Sequence, residues 1–110
     1  MAINWQTVGQ NVATAIGGVV GAAWNATEPS VQAQLAALVQ IGQTIEAQAT
    51  ATPPTITPDA YQYLKYTEQS ALETVLKNAE AIGVVVATQA AAAAWGVVET
   101  AVVALLPFKI

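Results

Sequence analysis

The sequence predicts an all-α protein: a helical hairpin or a bundle of three to four helices with a long C-terminal helix, assembled into oligomers. Three observations favour this fold class. The chain is 55% hydrophobic and rich in alanine. Prolines and capping residues separate its segments, and apolar residues recur every three or four positions in the central segment. A length of 110 residues allows one domain.

The first element is an Ala/Gly-rich helix predicted over residues 1–26, a segment without charge. Ala13, Gly17 and Gly21 are four residues apart and would form one ridge of small side chains. Such a ridge lets the backbone of another helix approach closely. The adjacent Gly17 and Gly18 oppose the helix by roughly 1 kcal/mol each relative to alanine.

The second helix is predicted over residues 28–50, after a turn in "NATEPS". Thr27 would be its N-cap, with Glu28 and Pro29 in the first turn, where an acidic residue and a proline are favourable. One face is a narrow seam of small and apolar residues with the spacing of a coiled coil: Val31, Leu35, Leu38, Gly42, Ile45 and Ala49. The other faces are mostly Gln and Ala, which suits contact with other helices.

Residues 51–57 form the predicted linker, because the prolines there prevent a continuous helix. Thr57 is predicted to cap the next segment, a long helix over residues 58–106. This segment is either one helix bent near Gly83 or two helices joined there. Pro107 would end it.

The first half of this segment has the ordinary pattern of a water-facing amphipathic helix. Its apolar stripe is flanked by charged residues on other faces: Lys65, Glu68, Glu73, Lys77 and Glu80. The tyrosines of "YQYLKY" are expected to pack at the helix start with their hydroxyls in water. The alternative is an aromatic belt at a membrane interface.

The stretch "ATQAAAAAWGVVETAVVALLPF", residues 87–108, has Glu99 as its only charge before Lys109. Over residues 82–104, Ile82 and seven valines favour membrane insertion by roughly 2 to 5 kcal/mol, but Glu99 removes about 2.5 to 3.5 kcal/mol. Packing against protein is therefore preferred to a lone transmembrane helix, and the two states can follow one another. Glu99 is expected to face water, a neutral hydrogen-bond donor or a lysine such as Lys109 of a neighbouring copy.

Composition excludes several function classes. The chain has no His, Cys or Arg, so metal-ligand clusters, thiol sites and nucleophile–histidine pairs are not expected, and no cofactor is predicted. A net charge of −4 with three Lys argues against direct nucleic-acid binding. Only 9% of residues are charged, against about 25% in ordinary domains. A surface so poor in charge is usually covered by a partner or by lipid.

The stretches "AIGGVVGAAW", "AQLAALVQIGQTIEAQA" and "ATQAAAAAWGVV" resemble small helical proteins carried in bacteriophage particles, including internal and ejection-type proteins. The resemblance is one of composition. It implies many copies packed in a virion, and membrane activity during genome delivery.

The expected function is therefore a non-enzymatic structural component of a virion, whose partners are further copies and other assembly proteins, with a membrane as a further candidate. The alternatives are a membrane-inserted or pore-forming protein of holin or ejection type, and a soluble helical adaptor. The expected helix-packing residues are Ala13, Gly17, Gly21, Val31, Leu35, Leu38, Ile45, Ala90, Ala91, Ala92, Ala93 and Ala94.

Overall fold

The computed structural model describes residues 3–79 and 82–109, and every regular element in them is helical. The four α-helices are α1 (Trp5–Val20), α2 (Trp24–Thr50), α3 (Pro58–Lys77) and α4 (Val84–Val102). Short 3-10 turns follow α1 at Gly21–Ala23 and α4 at Val103–Leu105. No strand occurs in the described ranges, so the prediction of an all-α fold is confirmed.

The helices form a four-cornered bundle about 45 Å long. Each helix contacts the next along the chain, and α4 returns to contact α1. Helices α2 and α4 also touch across the middle, whereas α1 and α3 lie at opposite corners without contact between their described residues. The core is therefore enclosed by all four helices, with α4 against each of the other three.

The first helix is shorter than predicted. The side chain of Asn4 caps it by accepting a hydrogen bond from the Thr7 amide at 3.1 Å. The helix ends at Val20, not at residue 26, because Gly21 adopts φ 78°, a conformation that side chains with a Cβ rarely adopt. The turn between the first two helices therefore lies at Gly21–Ala23.

The second helix begins earlier than predicted, at Trp24 rather than residue 28. Thr27 is a buried residue inside the helix, not its cap. Pro29 also lies inside the helix, as its sixth residue, where its missing N–H leaves the Asn25 carbonyl without the usual helical hydrogen bond. The early start places Trp24 against Gly17 of α1. Burial of this large indole favours the observed boundary.

The rest of the helix α2 prediction agrees with the structure. All six residues of the predicted seam are buried: Val31, Leu35, Leu38, Gly42, Ile45 and Ala49. The predicted cap of the next helix is also confirmed. The Thr57 hydroxyl accepts from the Ala60 amide at 3.1 Å, with Pro58 and Asp59 in the first turn.

The segment predicted as one helix over residues 58–106, or as two joined near Gly83, consists of two helices. Helix α3 ends at Lys77, and Gly83 is the extended N-cap residue of α4. One continuous helix of that length would extend roughly 70 Å at 1.5 Å per residue. It could not fold back to bury an apolar face of α4 against α1 and α2. Glu80, predicted on a charged face, lies outside the described residues.

Gly21 and Gly18 provide a test of the first turn. We expect Gly21→Ala to destabilise the fold by about 1–2 kcal/mol, because alanine is strained at positive φ. No atom lies within 4 Å of a Cβ built at either glycine, so packing does not contribute. Gly18→Ala, inside α1, should instead stabilise by about 0.5–1 kcal/mol. Urea unfolding measures both changes, and equal effects would contradict the assigned turn.

Candidate functional site: helix α4 and its polar contacts

Helix α4 is the central element of the bundle. It contacts α1, α2 and α3, and one long face of it is buried: Ala87, Ala90, Ala91, Ala94, Trp95, Val98 and Val102. Alanine dominates the first half of that face. Because alanine has little bulk, the neighbouring backbones can approach closely there.

The five consecutive alanines have different environments. Ala90, Ala91 and Ala94 are fully buried, Ala93 is half-buried and Ala92 is exposed. All five are predicted from the sequence to pack against other helices. Within one chain only part of the circumference of α4 is covered, and the Ala92 side remains free among the described residues.

Glu99 lies where α4 passes the start of α3. Its Oε2 accepts a hydrogen bond from the Tyr61 hydroxyl at 2.5 Å and one from the Trp95 indole at 3.3 Å. The Lys65 ammonium lies 3.7 Å from the same oxygen. The predicted neutral hydrogen-bond donor is present, namely the Tyr61 hydroxyl. The cation beside the carboxylate is Lys65 of the same chain, whereas the predicted candidate is Lys109 of a neighbouring copy. Charge-assisted hydrogen bonds of this length are among the stronger polar contacts in proteins.

Tyr61 is the buried partner in this cluster. Its ring lies 6.0 Å from that of Trp95 and 6.2 Å from that of Phe108, and the side chain is fully buried. Burial, and secondly the hydrogen bond to Glu99, raise the pKa of the Tyr61 phenol well above its usual range. The expectation that the tyrosines keep wet hydroxyls fits the exposed Tyr63 and Tyr66 but is wrong for Tyr61.

A second polar contact joins α4 to α3 near the other end of α4. The Thr88 hydroxyl donates to Glu73 Oε1 at 3.0 Å. Lys77 lies 2.7 Å from the same oxygen, in the favourable spacing predicted for these two residues. The bond to Lys77, followed by that to Thr88, lowers the pKa of Glu73. Helix α4 is thus attached to α3 by a carboxylate near each end.

A third acidic contact joins α1 to α2 and was not predicted. The Trp5 indole donates to Glu46 Oε1 at 2.8 Å. The ring of Trp5 lies over Gly42, where a Cβ would come within 2.5 Å of it. Gly42 was recognised only as a seam position, because nothing in the sequence indicates which side chain fills the space beside it.

The predicted ridge of Ala13, Gly17 and Gly21 is not one helix surface. Gly17 faces Trp24 of the same chain, with a built Cβ only 2.7 Å from the indole. Gly21 lies outside α1 in the turn, and Ala13 is half-buried. The other predicted packing residues lie inside the bundle core: Val31, Leu35, Leu38 and Ile45. These residues hold one chain together.

An uncharged surface lies on the side of the bundle formed by α1 and α4. An open groove there is lined by Val8, Asn11, Ala93, Gly96, Val97, Thr100 and Ala101. None of these is charged. Helix α1 carries no charged residue, and the single charge of α4, Glu99, contacts α3. Half of the ten charged residues of the chain lie on α3, which occupies the corner opposite α1.

Helix α4 with its terminal turn is long and apolar enough to cross a membrane. The segment Val84–Leu105 has 22 residues, and 33% of its most apolar window is buried inside the protein. The core helix of a water-soluble bundle meets the same criteria. Among the described residues, no group of His, Cys, Asp and Glu has the arrangement of a metal site.

The Tyr61–Glu99 contact has a measurable pH dependence. Because the pKa of Tyr61 is raised, the folded protein holds the phenol proton more tightly than the unfolded chain. The stabilisation is complete below about pH 10 and is lost as the pH rises above it. We expect Tyr61→Phe to cost about 1–3 kcal/mol at neutral pH and to remove this alkaline loss.

Tyr63→Phe is the matched control, because Tyr63 is 69% exposed on the same helix. It should leave both the neutral stability and the alkaline loss unchanged. Unfolding curves at several pH values measure these quantities. An identical alkaline profile for wild type and Tyr61→Phe would show that this phenol does not carry the effect.

Gly42→Ala tests the contact between α1 and α2. The new methyl group would overlap the Trp5 ring, and overpacking of this kind costs about 1–3 kcal/mol. Gly96→Ala on α4 is the control, since no atom lies within 4 Å of a Cβ built there, and it should be stabilising. Thermal unfolding monitored by circular dichroism distinguishes them. A harmless Gly42→Ala would mean that Trp5 does not lie over this glycine.

Comparisons with protein-family models, curated proteins and solved structures find no match to this chain. No family membership follows, and the described side chains are the basis for proposing a function.

Proposed function

We propose that this protein is a non-enzymatic structural component of a multi-copy assembly. The observation that carries the proposal is the distribution of charge. One side of the bundle, formed by α1 and α4, has no exposed charged side chain, whereas the opposite corner at α3 is rich in charge. An uncharged side of small residues suits close contact with another protein surface.

The proposed contact surface contains the groove residues Ala93, Gly96 and Thr100, together with the exposed Ala92. Small side chains here allow another helix to approach closely. Thr100 and Asn11 add neutral hydrogen-bonding groups at the groove. The partners we propose are further copies of this chain and other proteins of the same assembly.

A bacteriophage particle is the assembly we propose, and the virion is the proposed location. Its support is the compositional resemblance of the alanine- and glycine-rich stretches to small helical virion proteins. A particle also offers the crowded surroundings that a surface with so few charges requires.

The non-enzymatic part of the proposal is supported by the use of the acidic side chains. Glu46, Glu73 and Glu99 each accept hydrogen bonds that join one helix to another. Their partners are indole, hydroxyl and ammonium groups that hold the fold together. These carboxylates are engaged in structure, and two open grooves on the bundle are lined mainly by neutral residues.

A second candidate function is that of a membrane-inserted or pore-forming protein. The observation that favours it is the segment Val84–Leu105, whose length and composition suit a membrane span. Val84 and Val85, at its start, are 62% and 68% exposed. Native material of such a protein would remain with the membrane fraction until detergent is added.

The assembly surface can be tested by placing a charge on it. We expect wild-type protein to sediment as an oligomer and Thr100→Lys to shift the distribution towards monomer, because the exposed Thr100 lies on the uncharged side. Gln62→Lys adds the same charge to an exposed position on α3 and should leave the oligomer intact. Sedimentation velocity measures both variants.

A monomeric wild type, or equal loss of oligomer in the two variants, would contradict this surface. Fractionation of the native source tests the proposed location: the protein should sediment with particles, and recovery in the soluble fraction would contradict a virion component. Recovery with membranes would support the second candidate.

A further inference from the structure

An acid-sensitive set of contacts between α4 and α3 would supply the trigger for the second candidate function, on which this proposal rests. Segment Val84–Leu105 spans about 33 Å at 1.5 Å per residue, enough to cross the hydrocarbon core of a bilayer. It contains a single charged residue, Glu99. A carboxylate at this position is the main obstacle to leaving the bundle for lipid.

The contacts of α4 with its neighbours are of two kinds. Towards α1 and α2 the buried face of α4 presents alanines and valines. The side-chain hydrogen bonds that the described residues make between α4 and another helix all go to α3, through Tyr61, Glu73 and Glu99. We call these contacts, together with Lys65, the α3–α4 latch.

The latch depends on ionised carboxylates. Lys65 is attracted to the Glu99 carboxylate, and Lys77 pairs with Glu73, which accepts from Thr88. Protonation of both acids removes these attractions. It also removes the only charge of α4, and a neutral carboxyl is far less costly to bury in an apolar medium than an ion.

The remaining charged groups around α4 do not replace the latch. Helix α1 has none, and those of α2 are Glu28 and Glu46. Glu46 bonds to Trp5 of α1. The groups that face Glu99 within the described residues are Tyr61 and Lys65, both from α3.

We propose that α4 is a stored membrane-inserting segment, which the α3–α4 latch retains in the bundle at neutral pH and which acid releases into a lipid bilayer. The bundle is the neutral form. In the acid form, α4 with its terminal turn spans the hydrocarbon core, and α3 with its many charged residues stays in water.

Vesicle flotation of the full chain tests the proposal. Phosphatidylcholine vesicles are used, since the chain has few cations for anionic lipid. We expect wild-type protein to stay unbound at about pH 7 and to float with vesicles at about pH 3, below the usual range of carboxyl pKa values, because the pKa of Glu73 in the latch is lowered. Glu99→Gln should float at neutral pH already, because it lacks the charge.

Tyr61→Phe tests the hydrogen bonds of the α3–α4 latch separately from the charge of Glu99. It leaves Glu99 intact but removes the short hydrogen bond to it, so the midpoint pH of vesicle binding should rise. Glu28→Gln is the matched control: it removes a carboxylate of α2 that lines the open groove between α1 and α2, and its midpoint should equal that of wild type. Circular dichroism at neutral pH confirms that each variant is folded.

Depth of insertion is measured with single cysteine substitutions, because the native chain contains no cysteine. A polarity-sensitive dye on Val85→Cys should brighten on vesicle binding in acid, and the same dye on Gln62→Cys in α3 should remain in a watery environment. Brightening at both positions would indicate general unfolding onto lipid and overturn the proposal.

Two other results of the flotation experiment would also overturn the proposal. Full insertion of wild type at neutral pH would overturn the latch while supporting the second candidate function. Absence of binding by wild type and Glu99→Gln at every pH would overturn both. Neither result changes the assembly proposal, which sedimentation tests separately.

Discussion

The single carboxylate of α4 is the constraint on which the bundle depends. A helix composed largely of alanine and valine slides and rotates easily against apolar neighbours, because such contacts have little direction. Glu99 must find donors, and Tyr61, Trp95 and Lys65 supply them at one place. This fixes the position of α4 against α3. The same contact explains why a tyrosine at the start of α3 is buried while Tyr63 and Tyr66 face water.

Two tryptophan–glycine contacts fix the remaining helices. Trp5 of α1 lies over Gly42 of α2, and Trp24 of α2 lies against Gly17 of α1. In each pair the glycine leaves room for an indole that a methyl group would displace. The Trp5 indole is also held by Glu46. Large rings are scarce in this chain, and these two indoles determine the geometry of the α1–α2 pair.

The bundle has one side that is rich in charged residues and one side that is uncharged. Helix α3 carries half of the charged residues and uses Lys65, Glu73 and Lys77 at its contact with α4. The side made by α1 and α4 is neutral. An assembly contact and a membrane segment would therefore draw on the same helix. The polar contacts to α3 hold α4 in the bundle and leave its outer surface available.

The sequence by itself determined the helical class, the buried seam of α2 from Val31 to Ala49, and the start of α3 at its Thr57 cap. These features depend on local spacing and on hydrogen bonds within a few residues. Only the tertiary structure decided that the first turn lies at Gly21, that the segment after residue 58 is two helices, and that Glu99 bonds to Tyr61. Burial of Trp24 against Gly17 and return of α4 onto α1 fix those features. Both are contacts between separate helices, and no local pattern encodes which side chain will fill which space.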